Sequence, residues 1–598
     1  MNTTSRAATL FATVILPCWA PAQTTSAARE GTYRNAAPGV HYMGSKICAG
    51  CHPNVAASYS NTAMAHSITT GENFTLPVGT QMPFTIFDRE TGDYFDVASH
   101  DGALFQGQYA LDSNGKQIFR QTWKIGYVIG SGDSGVGFLI QRDGYLFEAP
   151  LSYYAQSKLW SFSPGYELHN YAFRRPVVAE CTGCHSGRPQ PVYGVSGLYS
   201  NPPFLEQGVG CENCHGPGEL HVNDRRAARP LTGKFDDTIV NPVRLSGWMS
   251  DNICMKCHQG GDVRVEQPGK HDQDFRPGTP LENVIEIFKV PPPRRDSTSQ
   301  NPVLLEHYYS MILSKCYRAS SEALRCTTCH DPHIQPSGVK AASYYRDRCM
   351  SCHYNHPCKL DARERGKIDP LDNCAGCHMP KRSIVTIGHA ALTEHRILVS
   401  PNEPLPEDAF SSTDSDSGLV RLTARPGKPK KLIPDIVLFQ AYSRLIHDGH
   451  EEFRPRIDEV LTRFSRTTSN DARVLSALAR REVQKNRPEA FELAAGYLAR
   501  AVKTGNAQGE DFLLLADLDS RANKHADAID VLRAGQRLNP YLPNLAESLA
   551  AEYMKLGDYA ASTDVIQHGL ELFPDDKVLR KLKNDVQAAA IDGLNGSH

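Results

Sequence analysis

The sequence has almost no net charge, −2 at pH 7 from 64 basic and 66 acidic residues, so nothing in its balance favours a nucleic-acid partner. Beyond the N-terminus no apolar run is long enough to cross a bilayer, which predicts no transmembrane segment in the mature chain. No phosphate-binding fingerprint is complete. The loop Gly130-Ser-Gly-Asp-Ser-Gly135 is glycine-rich, but no Lys-Ser/Thr follows, and it reads as a tight turn. Cysteine is missing from residues 82 to 166 and again from about 433 to 590. Yet the chain holds 17 cysteines, many for a protein that is not a small disulfide scaffold. At 598 residues, 40% hydrophobic and 22% charged, it is too long for one core and predicts two or three globular domains.

Fourteen of the 17 cysteines fall into one repeated motif, Cys-X-X-Cys-His. Cys48 and Cys51 precede His52, Cys181 and Cys184 precede His185, Cys211 and Cys214 precede His215, and Cys254 and Cys257 precede His258. Cys326 and Cys329 then precede His330, Cys349 and Cys352 precede His353, and Cys374 and Cys377 precede His378. One Cys-X-X-Cys would be ambiguous between a zinc knuckle and a thioredoxin-like pair. Neither needs a His after every pair, and neither repeats seven times in one chain. Each motif reads as a covalent haem c site, with two thioethers to the porphyrin and the adjacent imidazole on iron. Seven covalent haems are expected. With three motifs crowded between Cys326 and His378, the haems are expected to form the core.

The N-terminus accounts for the compartment. Arg6 precedes an apolar run, residues 7–16, and Ala20-Pro-Ala22 offers a cleavage site. Residues 1–22 read as a secretory signal peptide cleaved after Ala22, and the location as periplasmic or extracellular. Pro17 argues against a lipoprotein at Cys18. The only other unspent cysteines, Cys316 and Cys358, are expected to pair as a disulfide, since exported proteins oxidise free thiols.

Between the first and second motifs the pattern alternates, as in Tyr94-Phe-Asp-Val97. Turns at Thr91-Gly-Asp93, Ser113-Asn-Gly115 and Arg142-Asp-Gly144 interrupt it. This predicts a small antiparallel β insert over 82–166. His100, Tyr153, Tyr154 and Trp160 are expected to pack its sheet against a haem.

Several segments carry a resemblance. Gly210-Cys-Glu-Asn-Cys-His-Gly-Pro-Gly-Glu-Leu-His221, Cys326-Thr-Thr-Cys-His-Asp-Pro-His333, Cys374-Ala-Gly-Cys-His-Met-Pro-Lys381 and Thr393-Glu-His-Arg396 resemble the multihaem cytochromes related to cytochrome c554. That group includes the electron acceptor of hydroxylamine oxidoreductase. The resemblance covers about 40 to 400. It implies that His221, His333, His389 and His395 supply distal axial ligands. The chain departs from that family in having seven motifs, not four, and a long β insert. Three further irons then need ligands. The candidates are His66 (or Met64), His169 and His307 (or Met311), followed by His271 and His356.

After residue 400 the composition changes. Residues 401–432 are rich in Pro, Asp and Ser and end on a basic loop, which reads as a linker. From 433 to 590 the chain is Ala/Leu-rich and repeats. Leu538-Asn-Pro540 returns as Leu572-Phe-Pro574, and Leu515-Ala516 returns as Leu549-Ala550 at the same offset. The period, about 34 residues, resembles that of tetratricopeptide repeats, which implies an α-helical solenoid with a groove for a peptide or protein. The fold class expected is mainly α: a haem-cored multihaem cytochrome domain at 40–400 with a small antiparallel β insert, then a helical repeat solenoid separable from the chemistry.

Two function classes remain. The first is an electron relay to redox partner proteins, with no catalytic residue and every iron held on both faces. The second is a reductase or oxidase of a small nitrogen or sulfur compound, with one iron open. Eleven non-motif histidines lie between His41 and His395, enough to close all seven sites. No Cys-X-X-Cys-Lys variant occurs, and the relay is favoured.

Overall fold

The structure, a computed structural model, describes residues 33–595 except 78, 156, 167–168, 232, 293–304, 321–322, 356–357, 368–371, 384–390, 401–402, 426 and 468. The expected signal peptide and the ligand candidates His356 and His389 lie outside the described residues. The chain is 43% helix with several antiparallel sheets.

Local sequence explains the β region. Asp143-Gly144 joins paired Arg142 and Tyr145 with both turn residues at positive φ, 48° and 84°. Asp101-Gly102 does the same between His100 and Ala103. These are the mirror-image turns that suit twisted hairpins, and Asp-Gly adopts them at little strain. A four-stranded meander, Phe84–Phe87, Tyr94–His100, Ala103–Leu111 and Gln117–Lys124, faces a seven-stranded sheet built around Gly135–Arg142. The insert is larger than expected. The second sheet starts at Ile68–Thr70 and is completed by Arg175–Pro176.

Its core is also its own. Phe95, Phe138, Ile140, Phe147, Tyr153 and Trp160 are buried between the sheets. Trp160 stacks on Phe138 at 5.4 Å and meets Tyr153 edge-on at 5.5 Å. Tyr153 and Trp160 therefore pack sheet on sheet and not against a haem. Alternation places every second residue on one face, and two such faces bury each other.

Around the motifs, short helices alternate with hairpins. The expectation that haems alone make this core is corrected. Ile253, Met255, Ile285, Ile287, Tyr308 and Met311 form an ordinary apolar cluster beneath the fourth and fifth motifs. Met311 is 6% exposed and belongs to that cluster.

From Asp435 the chain is a stack of helices. The pair Gly509–Arg521 and His525–Leu538 is repeated by Pro543–Lys555 and Tyr559–Leu572, with all four boundaries shifted by one common offset. Gly535 and Gly569 hold equivalent places. A Cβ at Gly535 would lie 2.9 Å from Phe512 and Leu545, and one at Gly569 2.8 Å from Leu579, so both mark close helix approach. Upstream, Ala472–Val483 and Pro488–Lys503 precede the first pair at a slightly longer spacing, as a looser copy. The stack is consistent with a repeat solenoid.

The segment expected as a linker is part of the folded body. Leu419, Val420 and Leu422 are buried, and Val420–Arg421 is the third strand of a sheet with Ile285–Lys289 and Val263–Glu266. Arg421 and Thr423 both bond the buried carboxylate of Glu286. The helical stack is clamped at both ends. Its first helix packs Val437, Phe439 and Tyr442 onto Val263, Val265 and Phe288. At the far end Arg174 Nη1 donates to both carboxylate oxygens of Asp575 at 2.6 and 2.7 Å, and Tyr541 donates to Asp143 at 2.6 Å. Contacts thus cross the boundary at which the stack is expected to separate, for a physical reason. The exposed ends of a solenoid need covering, and here the β region and the three-stranded sheet cover them.

Candidate haem centre

Each of the seven motifs sits on a helix: Ser45–Cys51, Ala179–His185, Glu212–His215, Gly247–His258, Cys326–Cys329, Gly338–His353 and Cys374–His378. Cysteines three apart share one helix face, and in all seven the motif histidine ends the helix or directly follows it. The local geometry thus points two thiols and one imidazole to one side.

The variable residues inside the motifs join them to one another. Glu212, 2% exposed, accepts the backbone amides of Met43 at 2.8 Å, Gly44 at 2.7 Å and Gly218 at 2.6 Å. This ties the approach to the first motif onto the third. Lys256 is buried and donates to Asp272 at 2.7 Å and to the Gly183 carbonyl at 2.8 Å, tying the fourth motif to the second. Burial alone would lower the Lys256 pKa, but the Asp272 carboxylate together with the neighbouring Cys257 and Cys184 thiols raises it. Asp251 accepts the Cys326 amide at 3.0 Å, tying the fourth motif to the fifth, and burial pushes its carboxyl up to about 6.

The thiols follow the same map. Cys48 lies beside Cys211, Cys184 beside Cys257, and Cys254 beside Cys326. Cys214 is in electrostatic range of Cys254, Cys329 of Cys352, and Cys349 of Cys374. The motifs therefore form one unbroken series, first–third–fourth–fifth–sixth–seventh, with the second beside the fourth. Burial pushes the Cys214 thiol up to about 12 and the Cys181 and Cys349 thiols up to about 11. The expected Cys316–Cys358 disulfide is not formed. Both are free, with Cys316 half-buried among Cys329, Cys349 and Cys352 and Cys358 exposed near Cys374.

Histidines distant in sequence meet across these motifs. His52 and His221 lie nearly parallel with ring centroids 6.4 Å apart, and His215 and His333 at 6.1 Å. His330 and His395 are 6.3 Å apart, and His258 and His307 5.6 Å. Rings in direct contact lie closer, as Tyr193 does on His271 at 3.5 Å. An iron between two imidazoles, with metal–nitrogen bonds of about 2 Å, requires about 6.3 Å between centroids. Three of the pairs therefore fit a metal held from both faces, whereas His258 and His307 are closer together and His307 lies 4.8 Å from His395.

The outer ring nitrogens are already engaged. His215 Nδ1 donates to the Val240 carbonyl at 2.8 Å, His378 to Leu398 at 2.6 Å and His395 to Thr393 at 2.7 Å. His221 Nδ1 bonds Asp236 at 2.9 Å and His333 bonds Asp331 at 3.2 Å. These bonds orient the rings and leave Nε2 for a metal. Burial pushes His307 down to about 3 and His330 down to about 4, and it lowers His215, His258 and His395 as well. All are held as the neutral imidazole that ligates.

Other candidates are placed elsewhere. His66 is exposed with Nε2 on the Ser60 carbonyl at 2.7 Å, and His169 is exposed beside Glu90 and Tyr171. His271 faces Tyr193 and Glu266. Asp236 was not singled out from the sequence, and no local pattern around it points to this role. Glu212 and Lys256 were hidden as the free letters of their motifs.

The family profile described as cytochrome c554 and c-prime matches residues 167–216, a span that holds the second and third motifs. The dissimilatory sulfite reductase MccA of Wolinella succinogenes is 25% identical over 199 residues, 29% of this chain and 22% of that protein. The match thus spans about a fifth of the relative's length. Among solved structures, the APC/C hetero-tetramer Cut9-Hcn1 matches 26% of this chain and 30% of its own at 15% identity and a TM-score of 0.22. A mutant of MamA matches 24% and 77% at 17% identity and 0.20. Likenesses at these scores carry no weight for fold or function. The profile and the curated relative support a c-type cytochrome with covalent haem.

Proposed function

We propose that the chain is an exported cytochrome that carries seven covalent haems c at residues 40–400 and relays electrons between redox partner proteins. The observation that carries this reading is the set of histidine pairs, three of them 6.1 to 6.4 Å apart, strung along one series of neighbouring motifs. In this reading His52 and His221, His215 and His333, His330 and His395, and His258 and His307 each hold one iron. Haem supplies one-electron chemistry, and an iron with imidazole on both faces has no position for substrate. The protein's own work is to orient the rings and hold neighbouring motifs close. The helical stack serves as a tetratricopeptide-like docking platform. A cavity of about 300 Å³ lined by Pro540, Leu542, Val565, His568 and Leu572 offers a partner side chain a seat.

A second reading is favoured by one observation, the similarity to a sulfite reductase. In it one iron stays open to a small sulfur or nitrogen compound. His185, His353 and His378 are the motif histidines to examine, since the segments holding His356 and His389 lie outside the described residues. Electron paramagnetic resonance of the oxidised protein tests both, after mass spectrometry has counted the haems. Only low-spin signals are expected. A substantial high-spin signal that shifts on adding sulfite or nitrite would establish the second reading and end the first.

A further inference from the structure

The paired rings differ in what holds their outer nitrogen. His215 and His395 donate to neutral backbone carbonyls. His221 donates to the carboxylate of Asp236 at 2.9 Å. That carboxylate is itself fixed. Its other oxygen accepts the Thr238 amide at 2.9 Å and the Thr238 hydroxyl, and Thr238 is 3% exposed. Asp236 has a side chain 21% exposed, and the Arg225 guanidinium lies 3.9 Å away. His333 also meets a carboxylate, Asp331, but at 3.2 Å and with side chains 40% and 42% exposed, where water screens the charge.

A carbonyl leaves the imidazole nearly as basic as in water. An ionised carboxylate draws the Nδ1 proton toward itself and makes Nε2 a stronger donor to a metal. A stronger donor favours the ferric over the ferrous state and lowers the reduction potential. Arg225 weakens the effect, but it is longer-range than the hydrogen bond and partly solvated.

We infer that Asp236 is a positioning residue that lowers the reduction potential of the site of His52 and His221, at the first-motif end of the series. This rests on the reading of those two rings as one iron's ligands. It uses only a one-electron couple and moves no proton.

The test is a spectroelectrochemical titration of the full-length holoprotein, followed by low-spin resonance signals. His221→Ala identifies the signal of this site by removing it. Asp236→Asn is expected to keep that signal and shift its oxidised-to-reduced equilibrium about tenfold toward the reduced form, about 59 mV upward for one electron, with the other midpoints unchanged. Thr238→Val removes a donor that competes for the carboxylate, so the same midpoint is expected to fall. Asp331→Asn is expected to move its own site less. An unshifted midpoint in Asp236→Asn overturns the inference, and so does loss of its low-spin signal, which would make Asp236 only an anchor for the ring. A rise in Thr238→Val overturns it as well. If His221→Ala leaves every low-spin signal in place, the ligand reading itself has failed.

Discussion

The motif-bearing half and the helical stack are built by different rules. The stack uses long amphipathic helices, from the 12 residues of Arg454–Ser465 to the 19 residues of Lys577–Asn595. Leu and Ala face inward, and the boundary pattern returns at a fixed period. Its stability comes from apolar faces meeting neighbours in sequence. In the motif half, helices of four to seven residues carry five of the seven motifs. Such helices are too short to hold themselves. They are held by buried polar groups from far along the chain: Glu212, Asp251, Lys256 and Asp272 are all under 9% exposed. A repeat fold tolerates change because its contacts are local. The motif half is specific because its contacts are not.

The comparison can be broken most severely by cutting between the halves. A chain ending at Ser417 loses the partners of Val263, Val265 and Phe288 and the strand Val420–Arg421. At roughly 1.5–3 kcal/mol for each buried apolar side chain, the loss is about 5 kcal/mol. Thermal unfolding followed at the haem Soret band should show a clear fall in Tm. An unchanged Tm would mean that the halves are independent after all.

The far clamp should matter next. Asp575 has a side chain 8% exposed and Arg174 one of 22%. Arg174→Ala leaves a nearly buried carboxylate without its partner, at a cost of about 3 kcal/mol. Arg174→Met/Asp575→Leu should recover most of it in denaturant titration.

Within the stack, Gly535→Val places side-chain atoms where a Cβ already meets Phe512 and Leu545. Overpacking should cost about 2 kcal/mol, read as lost helical circular dichroism at lower temperature, with the haem spectrum unchanged.

The smallest effect is a pH slope. Burial first, then the charge and hydrogen bond of Asp576, push Glu547 up to about 7 from 4.5, against the pull of Arg174. The folded state then binds more protons than the unfolded one between these values. Stability should fall as pH rises from about 4.5 to 7. Glu547 is only partly buried, so solvent screening reduces the slope to about 1 kcal/mol in total. Glu547→Gln should flatten the profile of Tm against pH.

What was legible from sequence was local. Cys-X-X-Cys-His states its chemistry within five residues, Asp143-Gly144 states a hairpin, and the periodic return of Leu538-Asn-Pro540 as Leu572-Phe-Pro574 states a helical stack. The first two follow from bonds made within a single turn of chain, and the third from contacts between helices adjacent in sequence. The size of the β region was less legible, because Ile68–Thr70 and Arg175–Pro176 join its sheet from outside the alternating stretch. Residues 401–432 read as a linker because composition reports polarity, and polarity does not exclude a strand whose few apolar residues, Leu419, Val420 and Leu422, all turn inward.

The sequence by itself determined where the Cys-X-X-Cys-His motifs stand, how many there are, and where the repeating helices lie. Tertiary structure alone decided which imidazole meets which, as His52 meets His221 and His330 meets His395. It also decided that Asp236 stands behind His221, that Lys256 joins two motifs, and that the stack is clamped at both ends. The reason is the range of the forces. Helix and turn geometry act over three or four residues and leave a periodic trace in the sequence. A hydrogen bond or a shared metal joins whatever folding brings together, at any separation, and leaves no period to read.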